Sequence, residues 1–247
     1  MQVHAFFLEL GRFFEILGRV FAWTPRRPYD LRELVRQMSR VGVESIPVVL
    51  LTSLFTGAVI ALQTFSTLKR VSAEGFVGTL VALSIVRELS PVICSLLIAG
   101  RCGSAMGAEL GTMRVTEQID ALEVLATDPV HYLMVPRVWA TGVMLPLLIV
   151  IADVVGIAGG YLISVDYFGA NPVTYLDNSF RYMESNDVTS GLIKAAIFGL
   201  IVAVMGCQKG YYTRGGAEGV GRSTTRSVVL ASIAILITDF FLTKILY

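Results

Sequence analysis

The sequence is short of charge and of the residue types that build most soluble catalytic sites. Only 16% of its 247 residues are charged, against about 25% in an ordinary soluble domain. It has two histidines, three cysteines without a CxxC pair and no GxxxxGK[ST] loop. These shortages argue against a disulfide framework, a histidine metal site and a Walker-type ATP site, and they leave no candidate catalytic residue. With 20 basic and 19 acidic residues, the chain also lacks the basic field of a nucleic-acid-binding protein.

Apolar residues, by contrast, are abundant and occur in long runs. They make up 54% of the chain, and the mean hydropathy is +0.69. A helix needs roughly 20 apolar residues to cross the hydrocarbon core of a bilayer, and five stretches qualify. The sequence therefore predicts an all-α membrane protein, with an N-terminal region over 1–44 and one transmembrane domain over 45–247. The predicted spans are residues 45–68, 76–100, 138–164, 191–208 and 227–247.

The first 23 residues predict an amphipathic helix lying in the membrane interface. Charged residues recur at helical spacing on one face, which the core of a secretory signal does not contain. Trp23 and the Thr24–Pro25 step predict where the helix ends. A helix packed on a soluble partner is the alternative interpretation. The charged face holds Glu9, Arg12, Glu15 and Arg19, and the apolar face holds Phe6, Phe7, Leu10, Phe13, Phe14, Leu17, Val20 and Phe21.

The distribution of Lys and Arg over the predicted loops predicts the orientation. Seven arginines precede residue 45, three basic residues lie in 101–137 and four lie in 209–226, whereas the 165–190 loop holds one. Loops rich in Lys and Arg stay on the cytoplasmic side of a membrane. We therefore expect the N-terminus in the cytoplasm and, with five spans, the C-terminus on the opposite side.

Two neighbouring charges lie near the middle of the second predicted span. A charge at membrane depth is costly and usually faces a partner or a cavity. Arg87 and Glu88 point about 100° apart on a helix, so each is expected to need a partner on another helix or a polar cavity. Pro91 removes the donor that the carbonyl of Arg87 would use, which predicts a kink at this pair. Interhelical pairing that merely holds the bundle is the alternative to a functional role.

Four further ionisable residues lie in the predicted spans. Asp153 and Asp239 lie well inside the third and fifth spans, whereas Lys194 and Lys244 lie near span ends and are expected to snorkel to the headgroups. Apolar surroundings with a few charges would suit an amphiphilic substrate. Small residues spaced as GxxxG also predict close helix packing. These glycines are Gly103, Gly107 and Gly111 after the second span and Gly156 and Gly160 in the third.

The 101–137 loop predicts a short cytoplasmic amphipathic helix over 112–127. Its apolar face is too short for strong membrane binding, and its acidic face would be repelled by anionic lipid. A groove on a partner protein is therefore the favoured destination, and packing on its own bundle is the alternative. The apolar face holds Val115, Ile119, Leu122 and Ala126, and the acidic face holds Glu117, Asp120 and Glu123.

Several of these stretches resemble the MlaE/YrbE permease family. The run RELSPV at 87–92 is similar to the RELGPV element of that family, with Ser90 where the family usually has Gly. The similarity covers roughly residues 40–247 and is most specific over 87–140. The other matching segments are 99–101, 103–104, 108–122, 128–129, 136–140 and 221–229, together with Asp239.

The resemblance implies the membrane permease subunit of an ABC transporter that moves phospholipids or related lipids. It implies a homodimer in the bacterial inner membrane, so that the C-terminus, which the Lys and Arg distribution places opposite the cytoplasm, would lie in the periplasm. The implied partners are two separate ABC ATPase subunits, which hold ATP and Mg, and a periplasmic lipid-binding protein with an MCE domain; no cofactor is expected in this chain. The implied substrate-binding residues are Arg87, Glu88 and Asp239. The implied ATPase-coupling residues are Thr116, Glu117, Gln118, Ile119, Asp120, Leu122 and Glu123.

Two other functions remain open from the residues alone. An ion-coupled secondary transporter could use Asp153, Asp239 and Glu88 as a proton or cation relay, although no inverted repeat is visible. A non-transporting scaffold or a membrane enzyme is the third hypothesis, and the missing catalytic residues place it last.

Overall fold

The computed structural model describes residues 2–25 and 30–246, with side chains from residue 9 onward. Within these ranges the chain is helical and contains no strand, which confirms the all-α prediction. The side chains of Phe6 and Phe7, the loop residues Arg26 and Arg27, and Tyr247 lie outside the described part. The helices are α1 (Gln2–Trp23), α2 (Leu31–Val41), α3 (Ile46–Lys69), α4 (Glu74–Val115), α5 (Gln118–Val124), α6 (Val130–Tyr167), α7 (Pro172–Arg181), α8 (Ser185–Tyr211) and α9 (Gly216–Leu246).

In the described part of the chain, five helices are long and apolar enough to cross a membrane, and each overlaps one of the five predicted spans. They are α3, preceded by α2, and α4, α6, α8 and α9. Most of these helices are longer than the apolar runs, and their hydrogen bonding continues into the polar sequence on either side. In α8 the extension has a specific cause: Glu184 and Asp187 form a reciprocal capping box, which begins the helix at Ser185, six residues before the predicted span.

Helix α4 is irregular at two places. Residues Ile85–Leu89 and Ala99–Gly103 are π-helical, so the hydrogen bonds there skip one residue more than in an α-helix. In the first segment the Ser90 N–H bonds to the carbonyl of Ile85, five residues earlier. The distortion expected beside Pro91 is therefore present, and it takes the form of a π turn that carries the charged pair.

Helix α8 is the centre of the bundle and packs against α4, α6 and α9, while α3 packs mainly on α6. Two of these crossings depend on glycine. A Cβ on Gly57 of α3 would lie 1.8 Å from the carbonyl oxygen of Gly156 in α6. A Cβ on Gly206 of α8 would lie 2.8 Å from the carbonyl oxygen of Gly103 in α4. The small-residue pattern thus predicted close packing correctly at both crossings.

The bundle has two ends, which we call the α5 end and the α7 end after the short helix at each. Helix α1 packs on the α5 end, where Ile16 and Val20 are fully buried. Arg19 pairs with Asp128 at 3.1 Å, and Glu9 forms an ion pair with Lys209. A second apolar stripe on α1 stays exposed and holds Leu10, Phe14 and Phe21. One apolar stripe of α1 therefore packs on its own chain, and the other is open to the surroundings.

The region predicted as one helix over 112–127 is divided. Residues up to Val115 complete α4, and Glu117, at φ +59°, starts the separate helix α5. This left-handed backbone conformation interrupts the hydrogen-bond ladder. Ile119 is fully buried and Leu122 packs on the core of the same chain. The predicted apolar face of α5 therefore contacts its own bundle, which was the alternative interpretation.

Candidate functional site

Three helices bring ionisable side chains together around Lys194. This residue lies about 14 Å along α8 from its start, towards the α7 end. Its amine donates hydrogen bonds to Glu88 Oε2 at 2.9 Å, to Thr243 Oγ1 at 2.7 Å and to the carbonyl of Arg87 at 3.2 Å. Asp239 Oδ1 lies 3.1 Å from the same amine. One ammonium group therefore joins α4, α8 and α9.

Local helix geometry explains how these groups meet. Asp239 and Thr243 are four residues apart on α9 and so share one face. The Thr243 hydroxyl accepts from Lys194 and also lies 3.1 Å from Glu88 Oε1. Glu88 is carried on the π turn of α4, whose extra residue changes the direction of the side chains around it.

A second ion pair lies next to this centre. Arg87 Nη2 is 2.7 Å from Asp187 Oδ1, and Asp187 also accepts from the backbone N–H of Glu184 at 3.0 Å. Asp187 is buried in the first turn of α8, where a carboxylate is favoured by the helix dipole. Arg87 therefore ties α4 to the start of α8. We call these six residues the charge cluster: Arg87, Glu88, Asp187, Lys194, Asp239 and Thr243.

The charge cluster is buried on one side and open on the other. The side chains of Lys194 and Asp187 are 0% and 2% exposed, whereas those of Arg87 and Glu88 are 38% and 39% exposed. The cluster holds two cations and three carboxylates among apolar helices, where an unpaired charge is costly. It can therefore present charges of both signs, fixed by buried partners, to a polar group outside the chain.

The sequence predicted Arg87, Glu88 and Asp239 as site residues and missed the other three residues of the cluster. Glu88 and Asp239 do meet on one amine, and Arg87 and Glu88 each have a partner on another helix, as expected. The prediction that Lys194 snorkels to the headgroups is wrong, because α8 starts early enough to bury its amine in the bundle. No role is predicted for Asp187 from the sequence, because it lies in the 165–190 loop, outside the predicted spans. The seven-residue spacing of Asp187 and Lys194, which places both on one face of a helix, is the pattern that could have revealed them.

Asp153 lies apart from the charge cluster. Its carboxylate sits beside the Ser90 hydroxyl and near Cys94, and its Oδ1 has no hydrogen-bond partner among the described residues. Of the three carboxylates in the hypothetical ion relay, only Glu88 and Asp239 are brought together.

Outside the spans, Tyr175 anchors α7 over this end of the bundle. Its hydroxyl donates to the carbonyl of Ile157 at 3.2 Å, and its ring meets Tyr161 edge-on with centroids 5.7 Å apart. Burial raises the pKa of the Tyr175 hydroxyl above its usual range, so it remains a neutral donor at physiological pH.

The second candidate surface is α5, at the opposite end. Val124 and Leu125 are 87% and 74% exposed. Asp120, in contrast, pairs with Arg114 at 2.5 Å within the chain. Of the seven residues expected to couple to an ATPase, the exposed ones are Thr116, Glu117, Gln118 and Glu123, while Ile119, Asp120 and Leu122 contact their own bundle.

These features define a helical, multi-pass membrane protein with a partly open charge cluster inside its apolar bundle. Comparison with known proteins gives the family. The model of the family described as Permease MlaE matches residues 34–245. The chain therefore belongs to the MlaE permease family.

Relatives of similar length agree with this assignment. A probable ABC transporter permease protein of Rickettsia felis is 47% identical over 222 residues, which is 90% of this chain and 86% of the relative. A probable ABC transporter permease protein of Synechocystis is 43% identical, covering 98% and 92% of the two chains. The intermembrane phospholipid transport system permease protein MlaE of Haemophilus influenzae is 40% identical, covering 100% and 95%. The chain is a multi-pass permease subunit of the inner membrane and a transport component rather than an enzyme.

Proposed function

We propose that this chain moves phospholipids between membranes as the homodimeric permease of an ABC transporter. Separate ABC ATPase subunits, which hold ATP and Mg, drive it. The observation that carries the proposal is the charge cluster, because it offers half-exposed charges of both signs at membrane depth. The phospholipid in the name of the Haemophilus influenzae relative supports the same substrate class.

A phospholipid headgroup matches the chemistry of the open side of the cluster. A phosphate can take charge-assisted hydrogen bonds from the guanidinium of Arg87, and a headgroup amine can approach the carboxylate of Glu88. Lys194 and Thr243 hold Glu88 in place from behind. The acyl chains then lie against the apolar helices, where no polar group has to be desolvated.

The ATPase is proposed to act at α5. The chain has no Walker loop of its own, and Glu117, Gln118, Val124 and Leu125 are exposed at the α5 end. With this end in the cytoplasm, as the Lys and Arg distribution predicts, an ATPase reaches α5 directly. The α7 end then faces the periplasm, where an MCE-domain protein exchanges lipid with the permease.

The first test uses the complex purified gently from its own membrane and reconstituted in vesicles. We would measure ATP-dependent transfer of a fluorescent phospholipid and ATP hydrolysis in parallel. Arg87→Gln removes the charge and keeps a polar side chain, so transfer should fall about tenfold or more, the range for a lost charged hydrogen bond. ATP hydrolysis should continue. Lys244→Gln is the matched control, because Lys244 is exposed on α9 outside the cluster.

Native transfer rates in Arg87→Gln would contradict the headgroup role and leave Arg87 as a structural residue. Transfer that follows an ion gradient and ignores ATP would replace the proposal with the ion-coupled transporter. Native mass spectrometry of the same preparation should find two copies with two ATPase subunits and bound phospholipid. A lone chain, also after crosslinking, would overturn the assembly.

The coupling role of α5 needs a variant that leaves the fold alone. Reversing Asp120 would break its pair with Arg114, so Glu117→Arg is the better choice: Glu117 is exposed. We expect lipid transfer to become uncoupled from ATP hydrolysis while the unfolding temperature is unchanged. Asp177→Arg, an exposed carboxylate on α7 at the other end, is the control. Unchanged ATP-driven transfer in Glu117→Arg would count against docking at α5.

A further inference from the structure

A second site lies at the α5 end, far from the charge cluster. A groove of about 810 Å³ opens between the end of α1, the start of α2, the segment after α5 and the start of α6. This volume falls in the range of about 300–1,000 Å³ that is typical of small-ligand sites. Aromatic and aliphatic side chains dominate its lining, and the principal ones are Trp23, Leu31, Leu34, Tyr132 and Trp139.

The aromatic residues of α6 indicate at which level of the membrane the groove lies. Trp139 and Tyr161 are separated by about 33 Å of helix, close to the roughly 30 Å of a hydrocarbon core. Trp and Tyr concentrate at the two membrane–water interfaces. Trp139 therefore marks the headgroup level at the α5 end, and the groove lies in the membrane interface rather than in water.

Apolar surface continues from the groove onto α1. The ring of Phe21 meets Trp139 edge-on, with centroids 5.9 Å apart, and Phe21 itself is exposed together with Phe14. On α2, Leu31 at the groove is also exposed. A lipid can cover this surface continuously from the groove to the bilayer, whereas a soluble protein would have to displace lipid to reach it.

The charges in the groove favour one headgroup chemistry. Among its described lining residues are two carboxylates, Asp30 and Asp128, and no Lys or Arg. Asp128 is balanced by Arg19 at 3.1 Å. Asp30 uses one oxygen to accept the Glu33 N–H at 3.0 Å, as the cap of α2, and its charge has no described cationic partner. Aromatic faces beside a carboxylate that no described cation neutralises attract an ammonium group.

We propose that this groove binds one phospholipid with a protonated amine headgroup. The ammonium group lies beside Asp30 and the aromatic rings, and the acyl chains lie along Leu31, Leu34 and Trp139 towards the exposed stripe of α1. The site is independent of the lipid transfer proposed above, because it lies at the opposite end of the bundle.

The two tryptophans of the chain make the site directly testable, since Trp23 and Trp139 both line the groove. The full chain is reconstituted in vesicles of phosphatidylethanolamine and phosphatidylglycerol in equal amounts. In one series only the first lipid carries brominated chains, which quench tryptophan fluorescence on contact, and in the other only the second. The membrane is then the same in both. We expect quenching to be about threefold stronger with brominated phosphatidylethanolamine, the preference that one exposed charge contact supports.

Asp30→Asn is the decisive variant, because Asn still caps a helix while the charge is removed. It should abolish the preference between the two lipids, and Asp177→Asn on α7 should keep it. Equal quenching by both lipids in the native chain would reduce the site to ordinary surrounding lipid. Stronger quenching by phosphatidylglycerol would overturn the proposal and assign the groove to an anionic lipid. An unchanged preference in Asp30→Asn, or quenching abolished once partner proteins are bound, would equally overturn the proposal.

Discussion

Neutralising Lys194 tests separately how the charge cluster contributes to the stability of the chain and how it contributes to the proposed lipid transfer. In Lys194→Met the carboxylates of Glu88 and Asp239 lose the ammonium group that lies 2.9 and 3.1 Å from them. Each contact is worth about 5 kcal/mol at an effective dielectric constant of 20, but most of this offsets desolvation. Breaking a buried pair typically costs about 3–5 kcal/mol. Because the Glu88 side chain is 39% exposed and water takes over part of its solvation, we expect a loss of about 2–4 kcal/mol.

A compensated variant supplies the contrast. The triple change Lys194→Met, Glu88→Gln and Asp239→Asn removes all three charges together. Replacing a buried ionic group as a whole is often neutral or stabilising, so stability should return to within about 1 kcal/mol of the native chain. Lipid transfer should not return, because the half-exposed charge of Glu88 is gone while Arg87 and Asp187 remain paired.

The assay is thermal unfolding of the purified chain in nanodiscs, followed by lipid transfer in the reconstituted complex. For a chain of this size, a loss of 2–4 kcal/mol corresponds to roughly 5–15 °C in the unfolding midpoint. A single variant that unfolds at the native temperature would refute the view that Lys194 neutralises two carboxylates. A triple variant that transfers lipid at the native rate would show that these three charges serve stability only.

Two further predictions concern the packing of the helices and an ion pair at the α5 end. Gly57→Val should destabilise the chain by about 3 kcal/mol or more, since even a Cβ would lie 1.8 Å from the carbonyl oxygen of Gly156. Gly221→Val is the control, because a Cβ there meets nothing within 4 Å, and equal unfolding midpoints for the two variants would disprove the close crossing. Arg137→Leu should lower the free energy of unfolding by about 2–3 kcal/mol, because buried Arg137 pairs with Glu109 at 3.0 Å. The same change at the exposed Arg36 should lower it by less than about 0.5 kcal/mol. Similar losses in both variants would show that burial does not determine how much the ion pair stabilises the chain.

The five spans were predictable because a run of some 20 apolar residues has few other stable environments. Arg87 and Glu88 were predictable because a charge inside such a run stands out. Lys194 was not, because its depth depends on where α8 starts, and the capping box of Glu184 and Asp187 sets that point outside the apolar run. Periodicity reports which face of a helix is apolar but not how far the helix extends beyond the membrane.

The α5 region shows the same limit of periodicity at the other end. The spacing of Ile119 and Leu122 correctly predicts that both lie on one apolar helix face. It does not decide whether that face contacts a groove on a partner protein or the core of the same chain. Only the packing of the bundle places Ile119 at 0% exposure. The break at Glu117 was also invisible, because Glu has no local preference for the left-handed backbone region it adopts here.

Helix α4 connects the two surfaces that the proposed function requires. Glu88, in the charge cluster, and Val115, the residue at which α4 ends before α5, are about 40 Å apart along this helix. Between them, Arg101 pairs with Glu44 at 2.9 Å and Glu109 pairs with Arg137 at 3.0 Å, so α4 is held to its neighbours at the α5 end. A displacement of α5 by an ATPase would then have one of two effects. It would move α4 together with the neighbours to which it is ion-paired, or it would bend α4 at its π-helical segments, where hydrogen bonding is already irregular. Because one of those segments carries Arg87 and Glu88, bending there would change the charge cluster, and under the proposed function this one helix would link ATP hydrolysis to the lipid headgroup.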